Sequence, residues 1–192
     1  MVKPPSVCAL PRRDGLIIAD GTEFVPAYVG SQCGFHHPGQ IFLNEHLYPD
    51  LRRIGVFPLC PFAACEEYLG QPPSPKQPLE VHSAYWHRFN QTVPEINIQH
   101  LMPLARFMIA IAEGPSLDDG MTSEIVEFAK SGRPVVGIRS DFRLAENLAA
   151  PINPQVRYYF DTGPYKNPFF VGGAEAYKDA FDHIEGLVAR LR

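Results

Sequence analysis

The residues best suited to chemistry lie in one short run, Ser116-Leu117-Asp118-Asp119-Gly120-Met121-Thr122-Ser123-Glu124. It stands between a continuous apolar stretch, Phe107 to Ala112, and a helical pattern that runs from Gly120 to Ser131. The apolar stretch reads as a central parallel strand covered on both faces. Asp118 then sits at the strand's exit, Gly120 permits a tight turn, and Glu124 falls in the first helical turn. There the helix dipole and free N–H groups favour an ionised carboxylate. Two carboxylates are thus offered where an open α/β sheet binds ligands, and one is suited to act as a carboxylate nucleophile. The same residues also make an ordinary turn and an ordinary cap, so by themselves they leave both roles open.

Other reactive patterns are weaker. Seven histidines form no H-x-x-x-H or H-E-x-x-H, and adjacent His36 and His37 point apart on any regular element. Metal chemistry is therefore not expected. Cys8, Cys33, Cys60 and Cys65 form no C-x-x-C, and they read as buried reduced thiols. Gly30 to Gly34 lacks the G-x-G-x-x-G dinucleotide fingerprint.

The elements that must position the acidic run can be read from periodicity and from twenty prolines. Residues 1–22 form an extended lead-in with a short hairpin around Asp20-Gly21. Phe24 to Gly30 is a buried strand ending in the turn Gly30 to Gly34. A helix starts at Pro38 and stops at Gly55, and Val56 to Cys60 is a second strand. Phe62 to Leu69 is helical, Gly70 to Pro78 is a loop, and residues 80–104 are helical with an interruption near Pro94. After the helix at 120–131 come a strand from Pro134 to Ile138, a loop or helix over 141–149, and a last strand from Val156 to Asp161. A C-terminal helix carries Tyr177, Phe181, Ile184, Val188 and Leu191 on one stripe. Strands alternating with helices predict a single-domain, three-layer α/β sandwich with a mostly parallel sheet of about five strands, flavodoxin- or Rossmann-like. The expected division is an extension at 1–22 and a catalytic domain at 23–192. Three loops converge at the ligand-binding edge: Gly30 to Gly34, Glu113 to Asp119, and the segment after Ile138.

The chain has 192 residues, 45% hydrophobic, with a formal charge of −4. That is enough for one sizeable core. Without a basic run, duplex nucleic acid and anionic membranes are poor partners. No apolar stretch is long enough to span a bilayer, and Met1 to Pro11 lacks the apolar core of a signal peptide, so a cytoplasmic location is expected.

Taken in order, the motifs resemble the nucleoside 2-deoxyribosyltransferase family. The resemblance runs through Ala27-Tyr28-Val29-Gly30, Phe35, the helix ending Asp50-Leu51-Arg52-Arg53-Ile54-Gly55, and Asn97-Ile98-Gln99. It continues in the strand 107–112, Asp118-x-Gly120-x-x-x-Glu124, Gly132-Arg133-Pro134-Val135-Val136, Ser140-Asp141-x-Arg143 and Pro151-Ile152-Asn153.

The resemblance implies exchange of the base of a 2′-deoxynucleoside by double displacement, with no cofactor. Glu124 matches the nucleophile that forms a covalent deoxyribosyl ester, following the logic of retaining glycosidases. Tyr28 matches a tyrosine that orients it. Asp118 matches the acceptor of the sugar 5′-hydroxyl, and Asn153 an asparagine that reaches into a neighbouring subunit's site, which makes the protein a homo-oligomer. Asn97 matches a base-contacting position at which many members carry aspartate; asparagine can hydrogen-bond the base but not protonate it. Gly30 and Gly120 belong to the substrate-binding turns, and Phe62 is a stacking wall for the base or a core residue. The implied partners are a 2′-deoxynucleoside, a free nucleobase and further copies of the chain. A related branch hydrolyses nucleoside 5′-monophosphates and carries serine six positions before the nucleophile. Asp118 at that position disfavours a phosphate dianion by charge repulsion. Hydrolysis of a nucleoside or its monophosphate and non-catalytic nucleotide binding are the alternatives.

Overall fold

Two Asp-Gly pairs start the fold. Asp14-Gly15 and Asp20-Gly21 both take positive φ (52° and 81°, 51° and 74°), the conformation of a type I′ turn. They join β1 (Arg12–Arg13), β2 (Leu16–Ala19) and β3 (Thr22–Ser31) into an antiparallel meander, in register Arg13↔Leu16 and Ala19↔Thr22. The sequence predicts the second turn; the first uses the same dipeptide between strands too short to show a period. The chain is described here from a computed structural model that covers residues 3–113, 119–140, 154–160 and 166–192.

Beyond residue 24, β3 becomes the centre of a parallel block. It pairs with β4 (Val56–Leu59) on one side and β5 (Phe107–Ile111) on the other; β6 (Val135–Arg139) and β7 (Phe169–Val171) extend the sheet past β5. Numbered along the chain, these five parallel strands lie in the order 2-1-3-4-5, the flavodoxin-like doubly wound arrangement, whose switch point falls between β3 and β5. The five-stranded expectation describes this block, and β1 and β2 bring the sheet to seven strands among the described residues.

Helices cover both faces because both faces of β3 and β5 are apolar. Tyr28, Met108 and Ala110 face one core, with α3 (Pro61–Leu69), α5 (Met102–Leu104) and α6 (Asp119–Lys130). Val25, Ala27, Val29, Ile109 and Ile111 face the other, against α2 (Tyr48–Arg53) and α8 (Gly173–Leu191). Upstream of α2 lie α1 (His37–Ile41) and a π-helical stretch, Phe42–Leu47. They run on into α2, which stops just before Gly55, whose φ of 84° terminates the helix as expected. The α8 stripe packs on Ile184, Val188 and the buried Ala180 and Leu187, with Tyr177, Phe181 and Leu191 at its margins.

One element is corrected. Of the strand expected from Val156 to Asp161, the described residues 156–160 are not strand: Pro154–Arg157 is a helical turn, α7, and residues 158–160 form a turn. The buried residues are Val156 and Phe160, four apart, while Tyr158 is half exposed. That is helical spacing, which the run of β-prone side chains masked. The last strand is β7.

Gly137 in β6 shows how tightly this edge is packed. A Cβ there would overlap the Phe169 ring and lie 2.8 Å from Phe160. Gly137→Ala is expected to cost roughly 1–3 kcal/mol by overpacking and to lower the urea midpoint at unchanged m-value. A variant with the wild-type midpoint would show that the rings yield. Among the described residues no helix is long and apolar enough to cross a membrane.

Candidate active site

The three loops singled out by sequence meet at one residue. The Glu113 carbonyl, just after β5, accepts from Gln32 Nε2 in the turn after β3. Its carboxylate Oε1 accepts from the Ser140 N–H just after β6 at 2.6 Å. Glu113 thus ties the carboxyl ends of three neighbouring strands, the edge where doubly wound sheets bind ligands.

Glu124 projects from α6 beside this edge. Because α6 begins at Asp119, Glu124 lies in its second turn rather than the first. The dipole argument weakens accordingly, since that field fades within a turn. A side chain takes its place: Asn97 Nδ2 donates to Glu124 Oε1 at 2.8 Å. The carboxylate must be the acceptor, and among the described residues Asn97 Oδ1 is buried without a hydrogen-bond partner. The other carboxylate oxygen, Oε2, lies 3.4 Å from where a Cβ on Gly30 would stand. The closer neighbour of such a Cβ is Met108 Cε, at 2.7 Å, so glycine at 30 makes room chiefly for Met108, with the carboxylate next to it.

Asn97 is only 3% exposed and reaches this place through an irregular helix. The long helix α4 (Leu79–Glu95) carries Pro94 without a break and then widens into a π-helical stretch, Ile96–Leu101. Proline has no N–H to donate, and one-residue widenings of this kind are often found at functional sites. The interruption expected near Pro94 is this change of pitch.

Tyr28 is fully buried on β3. Among the described residues its hydroxyl meets no full hydrogen-bond criterion, and the Glu124 carboxylate is its electrostatic neighbour. Its pKa is pushed well above the ordinary tyrosine value, first by burial and then by the neighbouring Glu124 carboxylate. It keeps its proton at neutral pH and is no general base. Cys65 also borders the site; burial first, then nearby Cys60 and Glu124, push its thiol up to about 12, so it is not a competing thiolate nucleophile.

These groups line a cavity of about 100 Å³ whose walls are mostly apolar: Ser31, Phe35, Pro61, Phe62, Cys65, Phe89, Val93, Asn97, Gly120, Met121 and Glu124. Phe35 stands edge-on to Phe62 (centroids 5.0 Å apart) and to Phe89 (6.4 Å), which makes an aromatic rim. Phe62 presses on the Gly34 backbone so closely that a Cβ there would overlap its ring. An aromatic slot with one carboxylate and one amide on its wall suits a planar, partly polar ligand.

Of the residues singled out by sequence, Glu124, Asn97, Phe62 and Gly120 line the cavity, and Tyr28 and Gly30 pack against the carboxylate. Asp118 and Asn153 lie outside the described residues, as do Asp141-x-Arg143 and Pro151-Ile152. Sequence reasoning missed Phe89 and Val93. Their signal was present: Phe89, Val93 and Asn97 are spaced by four, one stripe of a helix. Among the described residues no group of three or more His, Cys, Asp or Glu is gathered to hold a metal.

No protein-family model matches the chain, and no curated protein is similar to it in sequence. Several solved structures share its fold, two of them as follows. A conserved protein from Enterococcus faecalis V583 superposes with a TM-score of 0.54 at 15% identity, over 85% of this chain and 99% of its own. A 2-desoxiribosyltransferase from Leishmania mexicana superposes with a TM-score of 0.50 at 12% identity, over 84% of this chain and 97% of its own. At these identities the likeness is one of fold.

Proposed function

We propose that this chain transfers a 2-deoxyribosyl group between nucleobases, with Glu124 as nucleophile. The observation that carries the reading is the Glu124 carboxylate, held by Asn97 and set beside Gly30 on the wall of an aromatic-rimmed cavity at the β3/β5 switch point. The fold shared with a 2-desoxiribosyltransferase supports it.

In the first half-reaction a Glu124 oxygen bonds to C1′ as the N-glycosidic bond breaks. The bonding pair leaves with the base, which takes a proton. The asparagine amide does not supply that proton, so water does. In the second half-reaction a ring nitrogen of the incoming base attacks C1′, the ester C–O bond breaks, and its pair returns to Glu124. The attacking nitrogen then loses its proton to the hydroxide left by that water. Two inversions restore the starting configuration. Tyr28 steadies the carboxylate without deprotonating, and the Phe35, Phe62 and Phe89 rings hold the base. Asp118 takes the sugar 5′-hydroxyl and Asn153 comes from a neighbouring subunit in the same proposal.

The test is product analysis with 2′-deoxyinosine, with and without adenine. Deoxyadenosine formed with little free deoxyribose is the expected result. Deoxyribose released regardless of adenine would make the protein a hydrolase, with 5′-monophosphates the next substrates. No reaction with purine or pyrimidine donors would leave a nucleotide-binding module.

A further inference from the structure

A second cavity, of about 260 Å³, opens at the opposite edge of the sheet, below the amino ends of β6 and β7. Three elements build it: the lead-in to β6 (Gly132, Arg133, Pro134), the lead-in to β7 (Lys166, Asn167, Pro168) and the last turns of α8 (His183, Leu187, Arg190). Its lining holds three permanent cations and a histidine. No carboxylate lines it among the described residues, although the chain as a whole carries a charge of −4.

One cation is anchored by the structure and two are exposed. Arg133 is fixed in place: Nη1 donates to the Met102 and Ala105 carbonyls at 2.6 and 2.7 Å, Nε to Ser131 Oγ at 2.7 Å, and the guanidinium lies 4.1 Å from the Phe128 ring centroid. Its Nη2 is left without a hydrogen bond among the described residues. Lys166 and Arg190 are exposed and belong to neither of the ion pairs seen among the described residues. Asn167 spends both amide atoms on the backbone, accepting from Val135 N–H at 2.9 Å and donating to the Tyr159 carbonyl at 2.8 Å. That clamp holds the two lead-ins together, and Lys166 next to it keeps a left-handed φ of 51°. The α8 carbonyl end by itself favours Arg190. It does not account for Arg133 and Lys166, which come from other elements and line the same space.

We infer that this cavity is an anion site for a phosphate or pyrophosphate group, separate from the candidate active site. A preset guanidinium with a free N–H₂ edge, flanked by a lysine and a second arginine, matches the several oxygens of such a group. The group could come as the free inorganic ion or on a nucleotide; the chemistry is the same.

Calorimetric titration of the full chain at constant ionic strength tests this with pyrophosphate, inorganic phosphate and 2′-deoxyadenosine 5′-monophosphate. Saturable binding of at least one is expected, and which one binds identifies the source. Lys166→Glu and Arg190→Glu, both at exposed positions, are each expected to weaken it about tenfold or more, the scale of one charge-assisted contact, with an unchanged far-UV spectrum. No saturable heat with any of the three would overturn the inference. So would binding that survives in the double variant, or that Glu124→Gln abolishes, because the anion would then sit elsewhere. Base exchange is measured separately, so its failure leaves this result standing.

Discussion

Replacing Glu124 with glutamine is expected to lower base exchange by roughly 10⁴-fold or more, the scale of loss when a covalent nucleophile is removed. Glutamine is nearly isosteric, and its amide oxygen can still accept from Asn97 Nδ2, so the cavity keeps its shape. Its neutral amide forms no stable ester with C1′. The same comparison can be read without turnover. Wild-type protein given a 2′-deoxynucleoside and no acceptor base should gain the mass of one deoxyribosyl group, and the variant should not. Exchange at the wild-type rate in the variant, or an adduct mapped to another residue, would remove Glu124 from the role proposed for it.

The second large effect is expected at Asn97. Its amide donates to a carboxylate, and bonds to charged groups contribute about 1.5–3 kcal/mol each, so Asn97→Ala should slow turnover roughly 10- to 100-fold. The thermal midpoint should move little, because the change also deletes the unpartnered Oδ1. Asn97→Asp separates positioning from mere packing. It places a second carboxyl where the amide stands 2.8 Å from Glu124. Two carboxyls so close share one proton, and the upper apparent pKa of the pair is raised. Below that pKa one carboxyl keeps a proton that can pass to the leaving base. Above it the proton is lost and the two charges repel. The aspartate variant should therefore lose activity as pH rises through that value, an alkaline limb that Tyr28 cannot supply because its own ionisation is pushed well above the ordinary tyrosine range. Identical pH profiles for wild type and Asn97→Asp would show that Asn97 does not act on the reacting carboxylate.

Much of the scaffold is legible in the sequence. Buried parallel strands carry unbroken apolar runs, and Phe107 to Ala112 is one. Glycine and proline mark ends by restricting the backbone, which is why the helix stop at Gly55 and the loop at 70–78 were readable. The failures have local causes too. The segment 156–161 is rich in strand-forming side chains, yet Val156 and Phe160 bury themselves four residues apart. Propensity is a weak prior, and tertiary burial overrode it there. The hairpin at Asp14-Gly15 was hidden by its brevity, since two-residue strands leave no period to count.

The site divides along the same line. The amino-acid sequence by itself determined the alternation of strands and helices, and with it the edge of the sheet at which folds of this class bind ligands. It also determined that a carboxylate, Glu124, follows the central strand within one helix, because chain connectivity alone brings α6 back over the carboxyl end of β5. Only the tertiary structure decided what stands next to that carboxylate. Asn97 lies 27 residues away along the chain, and its bond to Glu124 depends on the shift in pitch after Pro94. Phe35, Phe62 and Phe89 come from three separate segments, and no local pattern relates them. Contacts of that kind are set by the packing of whole elements against one sheet, and side-chain spacing within a single element does not contain them.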